Sequence, residues 1–370
     1  MKRIFTYIQK KATNVVHITV LAAAIASCDS VLDYDDGDCS IKYRVKFKYD
    51  YNMKKVDAFA REVKTVTLYA FDDKGNFVYQ KTGEGEMLAD GSYSMAVDID
   101  PKQYHLVTWA GLDDQSFAVP VMDSRSQIDD LVVLTLRETT ARSGETGAEE
   151  EGKFIVKRQL SPLWHGEVMN GENRISTSPA TGGTREEVTT IGLMKNTNHI
   201  RIIVAQVNQH PETEIPVSRA IRSDMFTYSI YDDNGKMNYD NSLLEDNLLT
   251  YEPFVTETSE VSSRAFSRSD EPATYSAAVA EFSVARLLHT QNPKLRIHHI
   301  DSDTELLPNG MLIRYLELLK EQNFIDMPIQ EYLDREDSYG IIFFVNENLT
   351  LLKTAIQIND WVVNLNEFEL

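Results

Sequence analysis

The sequence predicts an all-β, mainly antiparallel protein of two tandem β domains with one or two short helices. Three observations predict it. Apolar and charged residues alternate strictly from Ile41 to Tyr49, as in a half-buried strand. Apolar runs farther on are separated by turns rich in Asp and Gly. A strand, a spacer and a turn-bearing segment then recur about 160 residues later in the same order.

The chain opens with a basic segment, Lys2, Arg3, Lys10 and Lys11, followed by a largely apolar run from Ala12 to Ala26 that ends in small residues. This pattern is a signal peptide, residues 1–27, and the run is shorter than the ~20 residues a membrane-spanning helix needs. Ile25-Ala26-Ser27-Cys28 resembles a bacterial lipobox, which implies cleavage before Cys28 and lipidation there. Each buried acyl methylene contributes ~0.8 kcal/mol, so several chains anchor almost permanently. Lipidation of Cys28 leaves Cys39 with no partner for an intramolecular disulfide.

Residues 28–40 read as an acidic tether, with Asp29, Asp33, Asp35, Asp36 and Asp38 following the anchor. The tether resembles the surface-export signals of lipoproteins from Bacteroides-type bacteria. It is not an EF-type calcium loop, because the twelfth position counted from Asp33 is Arg44 rather than a bidentate glutamate. The formal charge of −20, with no basic stretch long enough to track phosphates, excludes nucleic acid as a partner.

In the first strand Ile41, Tyr43, Val45, Phe47 and Tyr49 share one face, and Lys42, Arg44, Lys46 and Lys48 share the other. Tyr93 to Ile99 alternates in the same way, whereas Tyr104 to Ala110 and Leu131 to Leu136 read as more fully buried strands. Thr67 to Gln80 predicts a β-hairpin around Asp72-Asp73-Lys74-Gly75-Asn76, with Gly75 free to take positive φ. Thr227 to Asp240 repeats that pattern, pairing Thr67, Asp72, Asp73, Gly75 and Tyr79 with Thr227, Asp232, Asp233, Gly235 and Tyr239, and predicts a second hairpin. Ile41 to Val45 likewise matches Ile200 to Val204.

The repeat and the Gly- and Pro-bearing stretch from Asn170 to Arg185 divide the chain into domains 41–180 and 181–370. Thr139 to Lys153 and Thr256 to Glu271 read as exposed loops. Further strands are expected at Tyr275 to Phe282, Lys294 to Ile300, Gly340 to Val345 and Trp361 to Leu370. Leu312, Tyr315, Leu316 and Leu319 form one face of a helix between Met311 and Asn323.

The sequence holds no Gly-x-Ser-x-Gly elbow, His-Glu-x-x-His pair, phosphate-cradling loop or Cys-x-x-Cys. No catalytic, cofactor-binding or metal-ligating residue is therefore assigned, and the chain is read as a non-enzyme. With 57 carboxylates, some pair will fall at a glycosidase-like separation by chance, so none is singled out. His298 and His299 adjoin on a strand, so they face opposite sides and cannot share one metal. Trp164, within Leu163 to Glu167, reads as sheet packing rather than a ligand platform.

Beyond the lipobox and acidic tether, VTLYAFDDKGNFVYQ from Val66, DPKQYHLVTWAGL from Asp100, PLWHGE from Pro162 and EYLDREDSYGIIFFV from Glu331 resemble the FimB-type fimbrillin-associated anchor and accessory lipoproteins of Bacteroides-type bacteria. DPKQYH lacks the glycine usual before the tyrosine of that family. The resemblance implies two transthyretin-like β-sandwich domains and a place at the fimbrium base, holding the polymer to the outer membrane and limiting its length. It also implies fimbrial subunits, the fimbrillins, as partners joined by strand exchange, with Trp361 to Leu370 as the segment to inspect for an edge or donor. Two other readings are a tip adhesin and a surface glycan-binding lipoprotein; the latter calls for exposed aromatics, and the chain has only three tryptophans.

Overall fold

The structure is a computed structural model that describes residues 42–99, 103–113, 115–140, 153–168, 186–207, 220–264, 271–307, 310–358 and 361–364. The signal peptide, Cys28, Cys39, the acidic tether, the stretch 170–185 and the segment after Asn364 lie outside the described residues.

The N-terminal half is a sandwich of two sheets. A three-stranded sheet places β1 (Lys42–Lys48) between β11 (Glu186–Gly192), parallel to it, and β4 (Met95–Val97), antiparallel to it. The facing sheet has five antiparallel strands in the order β12 (Met194–Lys195), β10 (Trp164–Val168), β5 (His105–Ala110), β2 (Thr65–Phe71) and β3 (Phe77–Glu84). Tyr43, Val45, Phe47 and Tyr49 form the buried face that the alternation predicted, packed on Val66, Leu68, Leu106, Ala110 and Trp164. The helix α1 (Phe59–Glu62) adds Phe59, stacked on Phe47 with ring centroids 5.7 Å apart.

The five-stranded sheet is buried on both faces, which is why His105–Ala110 reads as an apolar run rather than an alternation. Its second face presents Tyr69, Phe71, Val107 and Trp109 to a core shared with the C-terminal half. That half has two six-stranded sheets. One runs β17 (Val255–Ser263), β18 (Ala273–Ala285), β13 (Thr197–Gln206), β21 (Ser338–Val345), β22 (Leu351–Ile358), β23 (Trp361–Asn364). The other runs β20 (Thr304–Glu305), β19 (Lys294–His299), β14 (Phe226–Asp232), β16 (Leu249–Tyr251), β9 (Lys153–Val156), β8 (Glu138–Thr140).

A small sheet of β15 (Lys236–Met237), β7 (Val133–Thr135) and β6 (Phe117–Ala118) bridges the halves. The helices α2 (Leu312–Asn323) and α3 (Ile329–Arg335) close the second half. Leu312, Tyr315 and Leu316 of α2 are buried, as their spacing predicted, and Leu318 is buried with them.

The tandem repeat is visible in strand pairing. β1 and β13 each lie between one antiparallel strand and one parallel strand, β4 and β11 in the first case, β18 and β21 in the second. β2 and β14 each have two antiparallel neighbours. Pairing across the halves is extensive: β11 and β12, residues 186–195, pair with β1 and β10, while β8 and β9 pair into the sheet of β14.

Three sequence expectations are corrected. The hairpin at Thr67 to Gln80 forms, with Gly75 at φ +79°, but Thr227 to Asp240 does not make a second one. Gly235 is not among the positive-φ glycines, and the Asn234 side chain is buried. Asn234 donates to the carbonyls of Ala285 (3.3 Å) and Arg286 (3.1 Å) and accepts from the Tyr251 hydroxyl (2.6 Å). The turn is thereby tied into the sandwich, β15 leaves to pair with β7, and β16 takes the position beside β14. Thr256 to Glu271 also departs from expectation, because Val255–Ser263 is an edge strand along β18. Backbone bonding fixes it, so its side chains stay polar and mostly exposed. Tyr93 to Ile99 is strand only at Met95–Val97.

Candidate functional site: the domain junction

Three of the motif segments meet at the contact between the two halves. On β10 successive side chains point to opposite faces. Trp164 enters the N-terminal core, and His165 turns to the other side, its ring 4.8 Å from that of Trp109. His165 Nε2 donates to the Tyr239 carbonyl at 2.6 Å, so β10 holds the chain that detours after β14. Burial pushes the His165 imidazole down to about 4, against the opposing pull of that carbonyl, and keeps it neutral at physiological pH. Beside it His105 and Glu167 bond at 2.5 Å, and His105 meets the edge of the Tyr239 ring.

Gly111, which closes the Trp-Ala-Gly run, sits at φ +81° against the strand-leading Pro162. A Cβ there would stand 1.9 Å from the Pro162 carbonyl oxygen, which belongs to the backbone and cannot swing away. Gly111→Ala is expected to cost about 2 kcal/mol through the left-handed φ and this clash, read as a shift of the urea midpoint. An unchanged midpoint would show that the turn relaxes freely.

Below His165 the buried pair Asn196 and Asn241 exchanges side-chain hydrogen bonds of 2.5 and 3.2 Å. Asn241 takes φ 65°, a conformation asparagine tolerates. Arg286, directly after β18, ties together the parts of the C-terminal half that carry these contacts. Its Nε and Nη2 donate to the two Asp334 oxygens at 3.0 and 3.1 Å, and its Nη1 donates to the Asn241 carbonyl at 2.7 Å. Gln330 Nε2 adds a bond of 2.9 Å to Asp334.

The end of α3 reaches the first half directly. The Arg335 guanidinium lies 3.9 Å over the Tyr51 ring, and the Arg335 carbonyl accepts from the Met53 N–H at 3.2 Å. Lys195 of β12 bridges Asp337 and Glu62 and sits 5.6 Å over the Trp164 ring. Next to it Glu62, Lys64, Thr65, Gly111, Leu112, Asp113, Ser161, Pro162 and Trp164 line a small cavity of ≈ 250 Å³.

The sequence singled out Trp164 and the Leu163 to Glu167 segment, and Trp164 is packing, 1% exposed. His298 and His299 do not converge: His298 contacts Glu305 and Asp303, while His299 contacts Ser302 and the Phe226 ring. Sequence reading missed Lys195, Asn196, Asn241 and Arg286; the one available signal was a charged Arg286 directly after the apolar run of β18. Among the described residues no group of three or more His, Cys, Asp or Glu side chains is arranged to hold a metal. None of the described helices is long and apolar enough to cross a membrane. What the junction can do is mechanical: it fixes two sandwiches at one angle.

The model of the fimbrillin-A associated anchor proteins Mfa1 and Mfa2 matches residues 35–367. A solved structure described as a candidate adhesin of Bacteroides thetaiotaomicron is 31% identical, with 88% of this chain and 97% of that one covered and a TM-score of 0.68. A second from the same organism, described as a candidate polysaccharide-binding protein, is 27% identical over 88% of this chain and 98% of its own, with a TM-score of 0.67. The fimbrial anchor protein Mfa2 of Porphyromonas gingivalis is similar in fold, at 15% identity over 87% of this chain and 98% of that one, with a TM-score of 0.56. No curated protein matches the chain. With the family model spanning both sandwiches and the junction between them, the chain belongs to the fimbrillin-A associated anchor proteins.

Proposed function

We propose that the protein is a surface-exposed outer-membrane lipoprotein, acylated at Cys28, that holds the base of a fimbrium to the cell and limits its length without enzymatic activity. The observation that carries the reading is the extent of the family match, which starts seven residues after Cys28 and runs through both halves. A fimbrial role follows from the family; the base position and the lipid belong to this proposal. Cys28 precedes Lys42 by fourteen residues, a tether that spans at most about 50 Å when extended. The junction suits the role, since pull on one sandwich reaches the other through β11 and β12 paired with β1 and β10, through Lys195 bridged to Glu62, and through the Met53 N–H bonded to the Arg335 carbonyl.

Strand exchange with a fimbrillin subunit would use an open sheet edge. β17, nine residues long, and β3, eight residues long, end their sheets among the described strands, as does β23. β23 pairs with β22 from Trp361 to Asn364, which supports an ordinary edge strand there; Leu365 to Leu370 fall outside the described residues. Backbone hydrogen bonds along such an edge give strength without sequence-specific pockets.

The tip-adhesin reading is favoured by the likeness at 31% identity to a candidate adhesin. Glycan binding has less support, since Trp109 and Trp164 are 0% and 1% exposed. The test compares wild type with Cys28→Ala in cells. An acylated intact mass for wild type, with fimbriae released into the medium by the variant, is the expected result; an acylated protein recovered along sheared fimbriae, with attachment unchanged in the variant, would favour the tip reading.

A further inference from the structure

The charged side of β1 is the outer face of the three-stranded sheet. Lys46 and Lys48 are exposed there and Arg44 is half-buried, its guanidinium held by the Ser94 carbonyl and hydroxyl at 3.2 Å. Their neighbours across β11 are Val188, Thr190 and Gly192, all exposed, and Ala96 of β4 lies opposite Arg44. Lys81 reaches the same sheet from β3, its Nζ donating to the Ala96 carbonyl at 2.7 Å. The carboxylates near this face stand at its ends: Asp50 pairs with Lys48, Glu186 lies opposite Lys42 in register, and Asp98 follows β4. The middle of the sheet is thus cationic in a chain of net charge −20.

We propose that this face rests on the membrane that holds the anchor, with Arg44, Lys46 and Lys48 against the phosphates of anionic lipid headgroups. The proposal rests on the reading that Cys28 carries lipid. Position argues for it, because β1 is the first described strand after Cys28 and the tether is long enough to lay the sheet flat. Charge argues for it too, since a flat surface of one sign is matched by a rigid face of the other. Val188, 48% accessible on the edge strand β11 opposite Arg44, can sit among the headgroups. The acidic tether is the rival occupant. Its aspartates enter at the Lys42 end, and to reach Lys48 they must fold back roughly 20 Å along β1.

The test uses the full mature chain with Cys28→Ala, which carries no lipid, and vesicles of phosphatidylcholine with or without phosphatidylglycerol. Each basic residue at an anionic surface is worth about a factor of five, so Lys46→Glu with Lys48→Glu is expected to weaken binding at least about 25-fold. Arg125→Glu with Lys157→Glu, exposed elsewhere, makes the same charge change and is expected to leave binding nearly unchanged. Circular dichroism checks that each variant is folded. Binding that appears only after the tether aspartates become asparagine, or that falls equally in both reversed proteins, would overturn the proposal. Intact mass of the native protein separately reports acylation at Cys28, so a failed anchor and a failed face are told apart.

Discussion

Arg286→Ala is expected to destabilise the protein by about 3 to 5 kcal/mol, the range found when one partner of a buried ion pair is removed. The Asp334 side chain is 8% exposed, and the substitution strands its carboxylate with only Gln330 as a side-chain donor. It also leaves the Asn241 carbonyl without the Arg286 donor, at the position where the detour after β14 is held against the end of β18. A comparison with Arg286→Met and Asp334→Leu together separates charge from shape. Replacing both partners removes the desolvation cost as well as the attraction, so the double variant is expected to recover most of the loss. Urea unfolding of the three proteins checks this. If Arg286→Ala costs under about 1 kcal/mol, the pair is solvent-screened and adds little to holding the detour after β14.

The sequence made the sandwich strands legible because most have one wet face, and a wet face writes a period of two into the chain. β1 shows it, with Tyr43, Val45 and Phe47 inward and Arg44, Lys46 and Lys48 outward. Where that contrast disappears, legibility does too. β17 is polar along nearly all its length and reads as a loop, since it is its backbone that mainly commits it to β18. The false second hairpin has a different cause. Asp232 to Gly235 carries good turn residues, but the choice between closing a hairpin and leaving the sheet is made by Asn234, whose partners Ala285, Arg286 and Tyr251 are distant in sequence.

The junction was half legible. The PLWHGE and EYLDREDSYG segments stood out as motifs, yet their meeting at Tyr239, Asn241 and Arg286 depends on strands that cross between the halves. Nothing local marks Asn196, whose partner is forty-five residues away. The motif residues that carry the family likeness are thus largely residues of packing and orientation, such as Gly111 against Pro162 and His165 against Trp109. A shared fold and a shared domain angle follow from them more directly than a shared ligand does.

Stability should vary little with pH between about 4 and 6.5 through two buried groups that oppose each other, and Asp232→Asn should expose one of them. The His165 imidazole is pushed down to about 4 by burial. Its contribution is present above the unfolded value of 6.5 and is lost as pH falls toward 4, roughly 1.4 kcal/mol per unit and ~3 kcal/mol in all. The Asp232 carboxyl is raised by burial to about 7, with one oxygen left without a hydrogen-bond partner. Its contribution is present below 3.8 and is lost as pH rises through 7, roughly 4 kcal/mol in all. Glu336, also raised by burial, acts in the same direction as Asp232 and is common to both proteins. Asparagine matches the neutral carboxyl in shape, so the variant should equal wild type near pH 4 and exceed it by about 4 kcal/mol at pH 8. Between those limits its stability should climb with pH at a rate set by His165, relative to a flatter wild type. Urea unfolding of both proteins across that range decides the matter: a difference that is the same at pH 4 and at pH 8 would mean that Asp232 ionises without penalty and that its burial is relieved by water.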